Sequence, residues 1–578
     1  MTTSPPHHSS VDPQATAQRQ WLAVVALIAA LTVMRIVYAS VLDLRTDEAY
    51  YWTWSKEGAL SFLDHPPMIA WFIRFGTAIF GDTTLGVRFG GIFAMLVTQL
   101  LLADIVRRVT HDFRAIVFAL LMPEAALYYG LLMAKVAPDT ALIPFAIAML
   151  WSLVRLNESG DGRWWLAAGL FAGLSLLSKF TALMLLPAVA AFMLVPDWRG
   201  CWLRSPYPWL AALIAIVVFS PVLVWNYQHD WASFRFQLVR ATATNPLSFR
   251  TLGEFFGLQF GLVGFVLLPV VISGVALTAW RGYRGREPVA ILLSTAVIVP
   301  FGYFLWKSLT LRVGDTWPMF LWPAGFAATA INATMLAQEK FPEWMVKSTI
   351  GWIRTAIITG IAFVVCVFLY YVAAPWNFIG RTDPVGGEAG YERVVARARD
   401  QLKKTGASWI ATTDYRTYSM LRWHFHGNVP VIQVNERGRF QGFADPGMAW
   451  VRGHAGLYVA REPDNRLPLW EATSAVRTPL ERVERSWRGV VMDTYALEKL
   501  ERWTPELAPP ADSPFFRWRV LAAMQPTRIA TPAQDRDKRH AQGQEENAGD
   551  DNAGSDRSGA GPGRRADEQP NTPITPSR

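Results

Sequence analysis

The stretch RTDEAYYWTWSKEGALSFLDHPPMIAWF, from Arg45 to Phe72, sets carboxylates between two apolar segments. Asp47 and Glu48 are adjacent, and Asp64 stands beside His65 and the pair Pro66-Pro67. A carboxylate held near an apolar layer can take the proton from an attacking hydroxyl, which is general-base work. A plainer reading competes. A helix over DEAYYWTWSKEGAL places Asp47 at its positive end. Tyr50, Tyr51, Trp52 and Trp54 suit the headgroup layer, where amphipathic rings anchor. The same helix lines Glu48, Tyr51 and Ser55 along one face. Anchors and a cap do not account for the second acid, Asp64, before a proline turn.

Bases recur at the ends of other apolar blocks. MAKVAPDTAL holds Lys135 and Asp139 four apart, where they can face each other as a local pair. Lys179 in LSLLSKFTALMLLP is an isolated ammonium between apolar runs. Such a group is costly to bury alone, which favours an anionic partner over a simple end marker. SPVLVWNYQHDWASFRFQLVR contributes Trp225, Asn226, Tyr227, His229, Asp230, Arg235 and Arg240. Interface anchoring covers the rings, while Arg235 and Arg240 can hold phosphate oxygens. KSLTLRVGDTWP adds Lys307, Arg312 and Asp315. Few carboxylates among many bases suit a ligand that is anionic at one end and greasy at the other. A lipid-linked phosphate meets both needs. Transfer of a sugar from it requires a base for the acceptor hydroxyl and positive charge, or a metal, at the leaving phosphate.

The elements that must position these residues are membrane helices. Of 578 residues, 52% are hydrophobic and 17% charged, against about 25% charged in a soluble protein. Apolar blocks run over 21–42, 89–106, 113–134, 139–154, 164–178, 181–195, 208–224, 256–280, 288–306, 317–335 and 355–374. Several can cross roughly 30 Å of hydrocarbon as helices. They predict a polytopic α-helical membrane protein with about 11–13 transmembrane helices over 19–376. No cleavage signal accompanies the first block, which argues against a signal peptide. Residues 1–18 are polar and predict a disordered N-terminal arm. Charge rises over 380–525, where SWIATTDYRTYSMLRWHF, NVPVIQVNE and HAGLYVA predict strands and turns around a helix, a soluble α/β domain. Residues 528–578 lack periodicity and predict a disordered tail. With a cytoplasmic amino terminus and an odd number of spans, 45–72 and 380–525 share the outer, periplasmic face.

The net charge of +9 is scattered singly between apolar blocks, so it makes no nucleic-acid stripe. Cys201 and Cys366 form neither a disulfide framework nor a metal cluster.

RTDEAYYWTWSKEG, FLDHPPMIAWFI, AKVAPDTALIPF, LSKFTALMLLP and SPVLVWNYQHDWASFRFQ stand in order over about 45–240. Together they resemble the lipid-linked-sugar glycosyltransferases of the GT-C superfamily. The similar branch includes bacterial aminoarabinose transferases of lipid A and galacturonic acid or mannosyl transferases. The resemblance implies a catalytic acid at Asp47, followed by Glu48, and a second acid at Asp64. His65 stands where members often have lysine, a departure, because imidazole is only partly charged near neutral pH. Lys179 matches a lysine that approaches the donor phosphate; Lys135, Arg235, Arg240 and His65 are further phosphate candidates. Tyr51, Asn226 and Tyr227 are candidate substrate contacts. Some members bind a divalent metal through the loop acid, which would be Asp64 here. The implied donor is a polyprenyl-phosphate sugar, the implied side periplasmic, and the acceptor lipid A, another envelope glycan or lipid, or a protein. Residues 380–525 would cap the cavity or help bind acceptor, with Tyr415 and His424 left outside the site. A flippase for a lipid-linked substrate and a non-catalytic envelope assembly protein are the competing readings.

Overall fold

The computed structural model describes residues 13–501, except 244, 339–340, 435–436, 441–442, 444–447 and 464–475. The expected tail and most of the expected arm lie outside the described residues; the first helix starts at Pro13.

Among the described residues, seven helices are long and apolar enough to cross a membrane: Gln18–Val41, Thr84–Thr110, Pro138–Ser159, Tyr207–Gln228, Pro288–Ser308, Met319–Leu336 and Glu343–Ala373. The number rises to nine if two bent pairs each count once; one of these, Phe249–Val263 with Leu267–Gly285, turns by 97°. The remaining apolar blocks form shorter helices. Block 113–134 breaks after Phe113–Ala125, where Pro123 sits inside the last turn. Block 164–178 gives the 16-residue helix Arg163–Ser178.

Local chemistry sets the helix ends. Thr83 accepts the Gly86 N–H to start Thr84–Thr110, and His111 closes that helix at φ 55°. Close helix approach relies on small residues, as expected where lipid supplies no hydrophobic drive between helices. A Cβ on Gly91 would lie 2.2 Å from the Met133 carbonyl oxygen, and one on Gly360 2.3 Å from that of Ala125. Within the bundle, Arg35 pairs with Glu124 at 2.6 Å, and Gln99 donates to the same carboxylate at 2.8 Å. A buried charge in such a place persists only when paired and hydrogen-bonded.

The C-terminal region holds one mixed sheet, ordered β2-β1-β3-β5-β4. Its strands are β1 (Trp409–Thr412), β2 (Val431–Gln433), β3 (Gly456–Glu462), β4 (Val476–Trp487) and β5 (Val490–Glu501). β1 runs parallel to β2 and β3, and β5 antiparallel to β3 and β4. The helix Tyr415–Phe425 connects β1 to β2, as the sequence predicts. The β4–β5 hairpin escapes that reading. Arg488 and Gly489, at φ 46° and 83°, make its two-residue turn. The helix Glu392–Thr405 buries Val394, Val395, Ala398, Gln401 and Leu402 at helical spacing.

The loop helix Thr46–Ser55 is not an interfacial anchor. Its rings share a core cluster with the C-terminal domain. Trp54 is fully buried and stacks on Phe62 at 4.3 Å, while Trp52 meets Trp423 at 5.1 Å. Tyr50 packs on Tyr415 at 5.0 Å and Phe440 at 5.8 Å. The aromatic run that suits a headgroup layer is instead the seat of the C-terminal domain, because the helix Tyr415–Phe425 covers it.

Candidate active site

The adjacent acids of the loop helix diverge. Glu48 is 0% exposed and sits at the third helical position, where its Oε2 accepts the Arg45 backbone N–H at 3.0 Å. Arg88 clamps both its oxygens, Nε to Oε1 at 2.8 Å and Nη2 to Oε2 at 2.7 Å. The Val136 N–H adds a contact at 3.4 Å. Burial alone would raise the Glu48 pKa, but the Arg88 guanidinium holds it low. A carboxylate so engaged has no oxygen left for a substrate proton, so Glu48 is a scaffold residue and not a catalytic one.

Asp47 faces the other way. The Tyr415 hydroxyl donates to its Oδ1 at 3.2 Å. Burial, and then the nearby Glu388 carboxylate, raise the Asp47 pKa; Lys135, Arg416 and the Tyr415 hydrogen bond oppose the rise. A carboxylate pushed upward is a better proton acceptor.

Asp64 is bound on both oxygens. Tyr50 Oη donates to Oδ2 at 2.6 Å and Arg439 Nη1 to Oδ1 at 2.6 Å. Gln237 Nε2 donates to its backbone carbonyl at 2.5 Å. Burial works against ionisation, but Arg439 and the Tyr50 hydrogen bond lower the pKa. Asp64 therefore stays charged with a guanidinium as its counter-ion. A divalent ion does not fit this donor set, because the positive partner is already in place. Among the described residues, no three His, Cys, Asp or Glu side chains gather as metal ligands.

The pairing of the loop bases differs from expectation. Lys135 and Asp139 do not face each other. Lys135 reaches Glu388 in the segment before the Glu392–Thr405 helix, at 3.3 Å. Asp139 instead receives Lys179, at 2.7 Å to each oxygen, and the Thr316 hydroxyl at 2.8 Å. Lys179 thus has the anionic partner its isolation demanded, within the protein. Trp317 lies 5.9 Å from Lys179 and 5.0 Å from Arg240 and joins the two cations across one ring. Burial, then Lys179, push the His65 pKa down to about 3, with Asp64 opposing and Arg240 and Arg439 adding to the fall, so the imidazole is neutral in this structure. Tyr51 is buried beside it, ring centroids 6.4 Å apart.

Three further candidates fall outside this group. Asn226 is buried and spent on local structure: its Nδ2 donates to the Val222 carbonyl at 3.0 Å, and its Oδ1 accepts the Phe234 N–H at 3.2 Å. It pins the turn into the helix Ala232–Thr242 rather than contacting substrate. Tyr227 is 76% exposed, with Trp231 as its ring neighbour. Arg235 is exposed, whereas Arg240, five residues on, turns to Trp317.

Tyr415, set aside as domain core, is instead against Asp47. Arg416, Arg439, Glu388, Tyr50 and Trp317 were not anticipated either. A signal existed for Tyr415 and Arg416, which follow the carboxyl end of β1, where parallel strands commonly deliver ligand-binding residues. Asp414 caps the helix there, accepting the Arg416 and Thr417 N–H groups at 3.0 Å each.

With the geometry in place, comparisons with known proteins agree on a class. A family model described as dolichyl-phosphate-mannose-protein mannosyltransferase matches residues 64–225. A lipid A galacturonosyltransferase of Rhizobium johnstonii is 28% identical over 341 residues, 55% of this chain and 69% of that one. An undecaprenyl phosphate-alpha-4-amino-4-deoxy-L-arabinose arabinosyl transferase of Pseudomonas aeruginosa is 30% identical over 269 residues, 42% of this chain and 46% of that one. The chain spans about half the length of the arabinosyl transferases it matches. Among solved structures, ArnT from Cupriavidus metallidurans bound to undecaprenyl phosphate superposes with a TM-score of 0.57 at 14% identity, over 82% of this chain and 97% of that one. At that identity the likeness speaks for the fold. Family model, sequence relatives and fold point the same way: the chain is a multi-pass membrane protein similar to glycosyltransferases that use lipid-phosphate-linked sugars.

Proposed function

We propose that the protein moves a sugar from a polyprenyl-phosphate donor to an oxygen of an envelope acceptor, with Asp47 as general base. The carrying observation is the Asp47 carboxylate, ringed by Lys135, Arg416 and Glu388 and held by the Tyr415 hydroxyl. Asp47 takes the acceptor hydroxyl proton as that oxygen forms a bond to the anomeric carbon. The bond from that carbon to the phosphate oxygen breaks, and the phosphate leaves with the electron pair. Arg240, with Lys179 near the same Trp317 ring, offers positive charge for it. Lys135 lies on the Asp47 side of the site. Asp64 holds the far end of the same loop against Tyr50 and Arg439.

The relatives named for lipid A galacturonosyl transfer and for undecaprenyl-phosphate-linked aminoarabinose support a lipid A acceptor and a polyprenyl carrier. Other envelope glycans, lipids and proteins share the same acceptor chemistry. The bilayer brings both lipidic substrates to the site. We place the site and the domain of residues 380–525 on the periplasmic side. The bases Arg107, Arg108, Arg155 and Arg163 support this, since they sit at helix ends remote from Asp47.

Mass spectrometry of envelope lipids and glycans from cells with and without the gene tests the reading and names the sugar and acceptor together. In purified protein, Asp47→Asn should keep donor binding and lose transfer by about 10²–10⁴-fold. Wild-type transfer in that variant would refute Asp47 as base and favour transport of a lipid-linked substrate.

A further inference from the structure

We infer that Tyr415, with Arg416 beside it, positions Asp47 for proton transfer, so that the C-terminal domain supplies part of the transfer machinery. This inference rests on Asp47 being the base.

The direction of the hydrogen bonds carries it. Arg416 Nε donates to Tyr415 Oη at 3.3 Å. A guanidinium only donates, so it occupies an acceptor lone pair of the phenol oxygen. The phenol proton is then directed to Asp47 Oδ1, 3.2 Å away, and an ionised carboxylate only accepts. The polarity of the chain Arg416 to Tyr415 to Asp47 is therefore fixed. One Asp47 oxygen is oriented, and the other is left for the acceptor hydroxyl.

The phenol itself is held firmly. Its ring lies 5.0 Å from Tyr50 and 4.7 Å under the Arg439 guanidinium. The same Arg439 binds Asp64, so the two loop acids are referenced to one platform. Asp414 caps the helix that carries Tyr415 and Arg416, which makes this a rigid helix start and not a loop tip.

The charged and titratable groups around Asp47 come from four elements. Tyr51 is on its own helix, Lys135 precedes Pro138–Ser159, Glu388 precedes Glu392–Thr405, and Tyr415 and Arg416 open Tyr415–Phe425. Glu388 disfavours the Asp47 anion. Lys135, Arg416 and the phenol favour it. Removing the phenol proton or the guanidinium should move Asp47 ionisation to higher pH. Glu388 is itself from the C-terminal domain, so that domain acts on the base with both signs.

The test uses the full chain in detergent or nanodiscs, with a polyprenyl-phosphate sugar donor and extracted envelope lipid as acceptor. Tyr415→Phe should lower kcat about tenfold and move the acid limb of its pH profile upward by about one unit, with donor KM within about twofold. Arg416→Gln should shift the limb the same way, and Arg416→Lys should restore it. Arg416 is solvent-exposed, so its variants keep the test open should Tyr415→Phe fail to fold. A lower unfolding temperature with an unmoved limb would reduce Tyr415 to a packing residue and overturn the inference. An inactive Asp47→Asn alongside that result would leave the base assignment standing. An active Asp47→Asn would overturn the base assignment and this inference together.

Discussion

Lys179 Nζ lies 2.7 Å from both carboxylate oxygens of Asp139, and both side chains are almost fully buried. Removing one partner of such a pair strands the other charge, at a cost of about 3–5 kcal/mol. Asp139→Ala should therefore destabilise the folded protein by that order, read as a fall in unfolding temperature in detergent. Asp139→Ala paired with Lys179→Met should recover much of the loss while donor affinity stays low. Full donor affinity in the double variant would remove Lys179 from the phosphate site.

Glu48 and Asp47 should separate cleanly by assay. Glu48→Gln leaves the buried Arg88 guanidinium short of its counter-charge, so folded yield should drop sharply, again by about 3–5 kcal/mol. Asp47→Asn should fold at wild-type yield and lose transfer. Size-exclusion profiles of both variants, read next to transfer rates, check the division. A well-folded, inactive Glu48→Gln would return Glu48 to the chemistry.

His65 contributes to stability rather than to charge. Its native pKa is about 3, whereas an unfolded imidazole takes up a proton near about 6.5. Between those values the unfolded chain binds more protons, so stability falls as pH drops through that window and is fully present above it. His65→Gln should flatten the acid side of the stability curve. Its transfer rate from about pH 5 to 8 should keep the wild-type profile, since native His65 is neutral throughout. A changed rate profile over that range would show that the imidazole titrates in the working enzyme.

Arg240 and Arg235 share a helix but not a destination. Arg240→Ala should weaken the donor about tenfold, the equivalent of about 1.4 kcal/mol, while Arg235→Ala should leave it unchanged. Donor KM, or direct binding of a polyprenyl phosphate, distinguishes them. Equal effects would mean that the ligand runs along the exposed face of the helix Ala232–Thr242.

Residue type and local spacing made the membrane bundle legible, because burial in lipid forces long apolar blocks. The helix between β1 and β2 was equally plain. The site was legible only as the loop acids and the scattered bases, not in how they pair. Asp47 and Glu48 are chemically alike neighbours, and which one scaffolds depends on Arg88, 40 residues on. Lys135 and Asp139 have ideal spacing for a local pair, yet each is drawn to a better-placed partner elsewhere. The rings at 50–54 have the composition of an interface belt, and local pattern cannot distinguish a headgroup layer from a covering domain. Tyr415 carries no periodicity that points 368 residues back to Asp47.

That separation has a consequence for biosynthesis. The Asp47–Tyr415 and Asp64–Arg439 contacts close loops of 368 and 375 residues. The chain is made and inserted from its amino terminus, so both acids reach their compartment long before either partner exists. A truncated product ending between residues 240 and 415 carries the acids and the donor-side cations without the groups that orient them. On the proposed function, the site around Asp47 is incomplete until the C-terminal domain has folded onto the loop helix, so sugar transfer would be withheld from unfinished chains without any separate inhibitor.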